Sequence, residues 1–89
     1  MANKKDVKQA INLMCTDLLI ELLGAEQASP AAAKQDIENI AQNILLMRKD
    51  FVSRLSHVDK RQVRTFFTQF EEDLTACTND IVDQICHLV

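Results

Sequence analysis

The sequence has very few of the residues that build turns and sheets. Its 89 residues include one Gly, one Pro, no Trp and no Tyr. A β-protein of this size reverses direction about every 8–12 residues, and Gly, Pro and Asn supply most of those turns. The composition therefore argues against an all-β fold, and the single Gly argues against the Gly-rich loops that bind phosphate.

Long apolar runs and a cysteine framework are also missing. A membrane-spanning helix needs about 18 or more consecutive apolar residues, and no such run or secretory signal segment is found. The three cysteines, Cys15, Cys77 and Cys86, are odd in number and lack C-x-x-C spacing, which indicates a reducing compartment rather than a disulfide scaffold. We expect a cytoplasmic protein without membrane contact, folded as one helical-bundle domain over residues 1–89.

Apolar residues recur at spacings of three and four, which is the period of amphipathic helices. This spacing predicts helix 1 from about Lys4 to Leu23, helix 2 from Pro30 to about Ser56, and helix 3 from Lys60 to about Leu88. The apolar stripe continues through 75–79, so helix 3 is predicted to be unbroken there despite the low helix propensity of that stretch.

Two short segments carry stop and start signals between these helices. Gly24 follows an apolar run, as a left-handed C-terminal cap does, and Ser29 followed by Pro30 is typical of a helix start. Asp59 is predicted to cap the third helix, with Gln62 at the capping-box position. Each segment predicts a reversal of the chain.

The register of helices 2 and 3 follows from their apolar stripes. If the chain folds back at Val58, an antiparallel hairpin pairs Phe51 with Phe67 and Ile44 with Leu74. Every seam residue then meets an apolar partner. The predicted fold is all-α: an antiparallel up-down-up three-helix bundle with a long helix 2–helix 3 hairpin.

Some apolar residues fall outside these stripes. A helix that is apolar on more than one side requires more than one neighbour, and a large exposed apolar surface usually marks an interface. We expect a homodimer that uses off-stripe residues of helix 1 and the tip of the hairpin. The predicted interface residues are Leu13, Leu19, Ile20, Leu23, Leu55, Val58 and Phe66.

Basic residues concentrate at one end of the predicted bundle, which can attract anions or an acidic protein partner. The acidic residues at this end are only Asp6, Asp50 and Asp59. All the other acidic residues are predicted in the rest of the bundle, where Lys34 is the one basic residue. Solvated surface is the simpler explanation, but Lys60 and Arg61 at a helix start oppose the helix dipole. The basic residues at this end are Lys4, Lys5, Lys8, Arg48, Lys49, Arg54, Lys60, Arg61 and Arg64.

Patterns that carry catalysis are weak. Ser56, His57 and Asp59 bring triad residue types together, but a cap turn does not supply an oxyanion hole. Cys86 and His87 are adjacent on a helix and point about 100° apart, which does not suit shared zinc ligation. We predict neither an enzyme nor a metal, cofactor or small-molecule site.

The sequence thus predicts a non-enzymatic helical protein–protein interaction module that associates with itself through apolar helix faces. The alternative is a small regulatory protein that binds nucleic acid through the basic end. Against this alternative stand the net charge of −3 and the lack of a pattern of exposed aromatic residues for base stacking.

Overall fold

The computed structural model describes residues 4–29 and 31–88, which form three α-helices. Helix α1 spans Lys4–Ala28, α2 spans Lys34–Leu55 and α3 spans Val63–Cys86, with a 3-10 turn over Lys60–Gln62 before α3. The molecule is elongated, with extents of 50 × 18 × 18 Å. No strand occurs in the described part of the chain, and the predicted all-α bundle is confirmed.

Side-chain contacts fix the direction of the helices. Arg48 Nε donates to Asn12 Oδ1 at 2.6 Å, which joins the first half of α1 to the second half of α2. Arg54 reaches Asp73 at 2.9 Å, which joins the end of α2 to the first half of α3. Both helix pairs are therefore antiparallel, and the order is up-down-up as predicted.

The core is built mainly by α1 and α2. Their apolar residues, spaced three and four apart, place Ile11 and Ile44 in the interior at 2% and 0% exposure. Helix α3 contributes fewer fully buried side chains, because Leu74 and Cys77 are only half-buried. The buried residues are Ile11, Cys15, Leu18, Leu22, Ala25, Ile40, Ile44, Met47, Phe51, Leu55, Phe70, Ile81 and Ile85.

The predicted end of helix 1 at Gly24 is wrong. Helix α1 continues through Gly24 to Ala28, and Gly24 does not have a positive φ. Glycine costs a helix interior about 1 kcal/mol relative to Ala. The next turn offsets this cost because Ala25 extends the apolar stripe and is buried.

The start of helix 2 also differs from the prediction. Helix α2 begins at Lys34, and its N-cap, Ala33, makes no side-chain cap. Ser29 is not the cap; its carbonyl instead accepts a hydrogen bond from the Ala32 N–H at 2.9 Å. Pro30, which was predicted to be the first helical residue, lies outside the described residues.

The second connection agrees with the sequence more closely. The Asp59 carboxylate accepts a hydrogen bond from the Arg61 N–H at 2.9 Å, so Asp59 acts as the predicted N-cap. It caps the 3-10 turn, and the α-helical geometry starts only at Val63. Helix α3 then runs unbroken through 75–79, as expected.

The predicted register of α2 against α3 is displaced. The ring of Phe51 packs edge-on against Phe70, with centroids 5.3 Å apart, one turn beyond Phe67. Asn43 Nδ2 donates a hydrogen bond to Gln84 Oε1 at 3.1 Å, whereas the predicted register sets the next residue, Ile44, opposite Leu74. The seven residues between α2 and α3 (56–62) form a turn, an extended segment and a 3-10 turn, which is longer than the sharp reversal assumed at Val58.

A Gly24→Ala substitution tests the path of α1 through this position. A Cβ at Gly24 has no neighbour within 4 Å, so Ala is expected to raise the free energy of unfolding by about 1 kcal/mol. Urea denaturation followed by circular dichroism measures the change. A loss of stability would instead indicate a left-handed cap and contradict the continuous helix.

Candidate interaction surfaces

Helix α1 carries three large apolar side chains outside its core-facing stripe. Leu13, Ile20 and Leu23 are 67%, 60% and 58% exposed. Leu13 and Ile20 lie seven residues apart, about two helical turns, so they stack along the outer side of the helix. All three predicted interface residues are therefore exposed, and Leu23 lies one turn beyond Ile20 and about 60° to one side of it, at about 100° per residue.

Helix α2 exposes two leucines that sequence analysis did not select. Leu45 lies one turn before Arg48 on α2, and the Arg48 guanidinium contacts Asn12 of α1. Leu45 therefore lies on the α1 side of α2, where it is exposed. Leu46 lines a shallow depression between α2 and α3, beside Met47 and Ile81. Both leucines fall outside the apolar stripe of α2. This feature of the sequence could have identified them as exposed apolar residues.

The tip of the hairpin is less exposed than predicted. Leu55 is 4% exposed and belongs to the core, so it offers no surface to a partner. Phe66 is half-buried and stacks on Phe70 at a centroid distance of 5.6 Å. Val58 and Leu19 are also half-buried. At the tip, Phe66 and Phe67 of α3 pack against the buried core that includes Leu55, so these side chains cover the surface expected to be open.

Arg54 is held by the fold rather than available to an anion. Its guanidinium bonds the carboxylates of Asp50 and Asp73, each at 2.9 Å, and lies over the Phe51 ring at 4.4 Å. The hydrogen bond to Asp50 is the main cause of a raised pKa for Arg54. Arg54 therefore connects α2 to α3 and is removed from the set of binding residues.

The other eight predicted basic residues are exposed at or near the tip. Arg48 is partly engaged, because its Nε donates to Asn12. Around the start of α3, no ion pair to a carboxylate is seen for Lys60, Arg61 or Arg64 within residues 4–29 and 31–88.

The charge separation is weaker on α3 than predicted. The pairing of Asp73 with Arg54 shows that Asp73, and with it the preceding Glu71 and Glu72, lies level with the basic half. Those acids were expected at the opposite end. The separation persists on α1 and α2. Their tip halves oppose only Asp6 and Asp50 to the basic residues Lys4, Lys5, Lys8, Arg48, Lys49 and Arg54. Their far halves oppose only Lys34 to the acidic residues Asp17, Glu21, Glu26, Asp36 and Glu38.

The three cysteines are free and differ in exposure: Cys15 is buried, Cys77 is half-buried and Cys86 is exposed. Burial raises the thiol pKa of Cys15 and Cys77 above the ordinary value, which keeps both thiols protonated and unreactive near neutral pH. Over the described ranges, no group of His, Cys, Asp or Glu residues is arranged to hold a metal ion.

Comparison with known protein families, with curated proteins and with solved structures gave no match to this chain. Among the helices of the described residues, none combines the length and apolar character needed to cross a bilayer.

Thiol reactivity tests the placement of the cysteines. At pH 8 we expect dithionitrobenzoate to modify one thiol rapidly, Cys86, and to reach Cys15 only on unfolding, since the reactive species is the exposed thiolate. Cys86→Ser is the matched control and removes the fast phase. A fast phase that persists in this variant would contradict the burial of the other two thiols.

Proposed function

We propose that this protein is a non-enzymatic helical interaction module that associates with itself through the outer face of α1. The observation that carries the proposal is the exposure of Leu13, Ile20 and Leu23 on α1, each of them more than half exposed. Burying one such side chain contributes about 1.5–3 kcal/mol. Large apolar side chains exposed close together on one helix are typical of protein–protein contact sites.

The distribution of exposed residues supports a one-sided contact. Of the five large apolar residues that are exposed in the described chain, four lie on α1 or on the α1 side of α2, and Leu46 lies on the α2–α3 side. The outer surface of α3 is polar and includes Thr68, Glu71, Glu72, Thr75 and Asn79. A partner that binds α1 therefore covers apolar surface and leaves a hydrated face on the opposite side.

The free thiols indicate the redox state of the compartment in which the protein acts. Three unpaired cysteines fit a reducing compartment, which supports a cytoplasmic location.

Light scattering coupled to size exclusion tests the self-association. We expect the wild type to rise above the monomer mass of 10.1 kDa toward a dimer as concentration increases. Leu13→Glu and Ile20→Glu are expected to remain monomeric, because each places a charge in the apolar contact. Circular dichroism confirms that the variants stay folded.

Leu46→Glu is the matched control, since Leu46 is 56% exposed but lies on the α2–α3 side of the molecule. Its mass should match that of the wild type. A wild type that stays at the monomer mass up to about 1 mM, a concentration range that includes weak dimers, would contradict the proposal.

A second candidate function is contact with an anionic partner, either an acidic protein surface or nucleic acid, through the basic tip. The observation in its favour is that Lys60, Arg61 and Arg64 are exposed around the start of α3. Basic residues oppose the helix dipole there, so an anion bound at the tip would relieve a local cost.

Fluorescence anisotropy with a labelled DNA or RNA duplex tests the nucleic-acid form of this candidate. Binding should weaken steeply with salt, because phosphate contacts release counterions. Replacing Lys60, Arg61 and Arg64 by Gln should abolish it, whereas Lys34→Gln at the acidic end should not. The nucleic-acid form fails if the wild type shows no salt-dependent binding.

A further inference from the structure

A long groove follows the contact between α2 and α3. Two adjoining depressions of about 680 and 640 Å³ form it, and both include Asp80 and Gln84. The residues that line the two depressions belong to α2, to α3 or to the two positions after α3. Because α1 contributes none of these lining residues, the groove is separate from the exposed α1 residues that carry the proposed self-association.

Apolar side chains form the floor of the groove at two levels. Met47 and Ile81 line the first depression, and Ile40 and Leu88 line the second. The steps from Ile40 to Met47 and from Ile81 to Leu88 are both seven residues, which is about two helical turns. Leu46, which is 56% exposed, extends the apolar surface of the first depression. A helix with apolar side chains two turns apart on one face matches this spacing, as in other complexes in which a helix binds a groove.

A hydrogen bond bridges the groove between these two levels. Asn43 Nδ2 donates to Gln84 Oε1 at 3.1 Å, and in sequence each of these residues lies between the two floor residues on its own side of the groove. A helix in the groove therefore has room for a large apolar side chain at each level but only for a small one between them.

Carboxylates surround the second depression. Asp36 of α2 and Asp80 and Asp83 of α3 line it, and within residues 4–29 and 31–88 none of the three forms an ion pair. Asp80 accepts a hydrogen bond from the Gln84 side-chain amide at 3.1 Å, but this amide is neutral and leaves the negative charge in place. Apart from His87, the lining includes no residue that can carry a positive charge. The rim is therefore acidic on both sides of the groove.

The first depression is closer to electrical balance. Lys49 lines it, and the carboxylate of Asp50, which also lines it, pairs with Arg54 at 2.9 Å. The groove thus becomes more acidic with distance from the tip.

We infer that this groove binds an amphipathic helix of a partner protein, with Lys or Arg residues beside its apolar stripe at one end. The stripe packs on the apolar floor, and the basic residues face Asp36 on one side and Asp80 and Asp83 on the other. Opposite charges align such a contact, whereas like charges would repel an acidic helix. The α2 lining runs from Asp36 to Ser53, about 26 Å at a rise of 1.5 Å per residue, so a helix of about 18 residues fills it.

The bound helix would complete a four-helix bundle, in which each groove between neighbouring helices is covered. This partner is distinct from the second copy proposed for α1, and its binding does not require the dimer.

Fluorescence anisotropy with a labelled helical peptide of about 18 residues tests the inference in the full-length protein. The peptide carries two Leu residues two turns apart, Ala between them, and Lys on both sides of the stripe at one end. We expect saturable binding that weakens roughly tenfold in Asp36→Asn/Asp83→Asn, because the opposed charges are lost. Asp17→Asn/Glu21→Gln on α1 is the matched control: it makes the same change in net charge and should leave the affinity within about twofold. Circular dichroism confirms that both variants stay folded.

The same peptide with Glu in place of Lys should not bind. Equal binding of the two peptides, equal weakening by the two double variants, or no saturable binding up to about 1 mM would overturn the inference.

Nuclear magnetic resonance locates the bound peptide on the protein. Changes in amide chemical shift should concentrate in residues 36–53 and 77–88, which line the groove. Changes concentrated on α1 would overturn the inference, and so would a dimer that Leu46→Glu abolishes, because the groove would then hold a second copy. A protein that stays monomeric and still binds the peptide in the groove would contradict the proposed self-association and leave this inference standing.

Discussion

The packing of α1 against α2 is the interaction on which the rest of the structure depends. Among the described residues, ten of the thirteen that are buried and apolar belong to these two helices, and Ile44 at their centre has no exposed surface. Burial of apolar area is the dominant favourable contribution to folding. Helix α3 adds Phe70, Ile81 and Ile85 to this core, so its position is determined by fewer buried contacts.

This imbalance explains which parts of the fold the sequence could predict. The helices follow directly from the period of the apolar residues, and the up-down-up order follows from the short connections. The register of α3 does not follow, because a heptad-like stripe still finds apolar partners after it slides along its neighbour. The 56–62 connection and the contact of Arg54 with Asp73 fix the register, and neither is encoded in the stripe.

Local signals misled the prediction where tertiary burial opposed them. Gly24 resembles a cap, but burial of Ala25 extends the helix by another turn. At the candidate site, the expectation that apolar residues outside the stripes are exposed is correct for Leu13, Ile20 and Leu23. Leu55 lies on the stripe of α2 but was expected to be exposed at an uncovered tip, and it is buried. The displaced α3 and its phenylalanines pack over that tip.

The small share of α3 in the core has a consequence for motion within the native state. A segment held by few buried side chains detaches at a lower free-energy cost than the whole molecule unfolds. Its backbone amides should therefore exchange with deuterium sooner than those around Ile44, and each such opening would expose Cys77, which α3 keeps half-buried against α2. The bundle would then behave as a stable helical pair to which a third helix is bound reversibly.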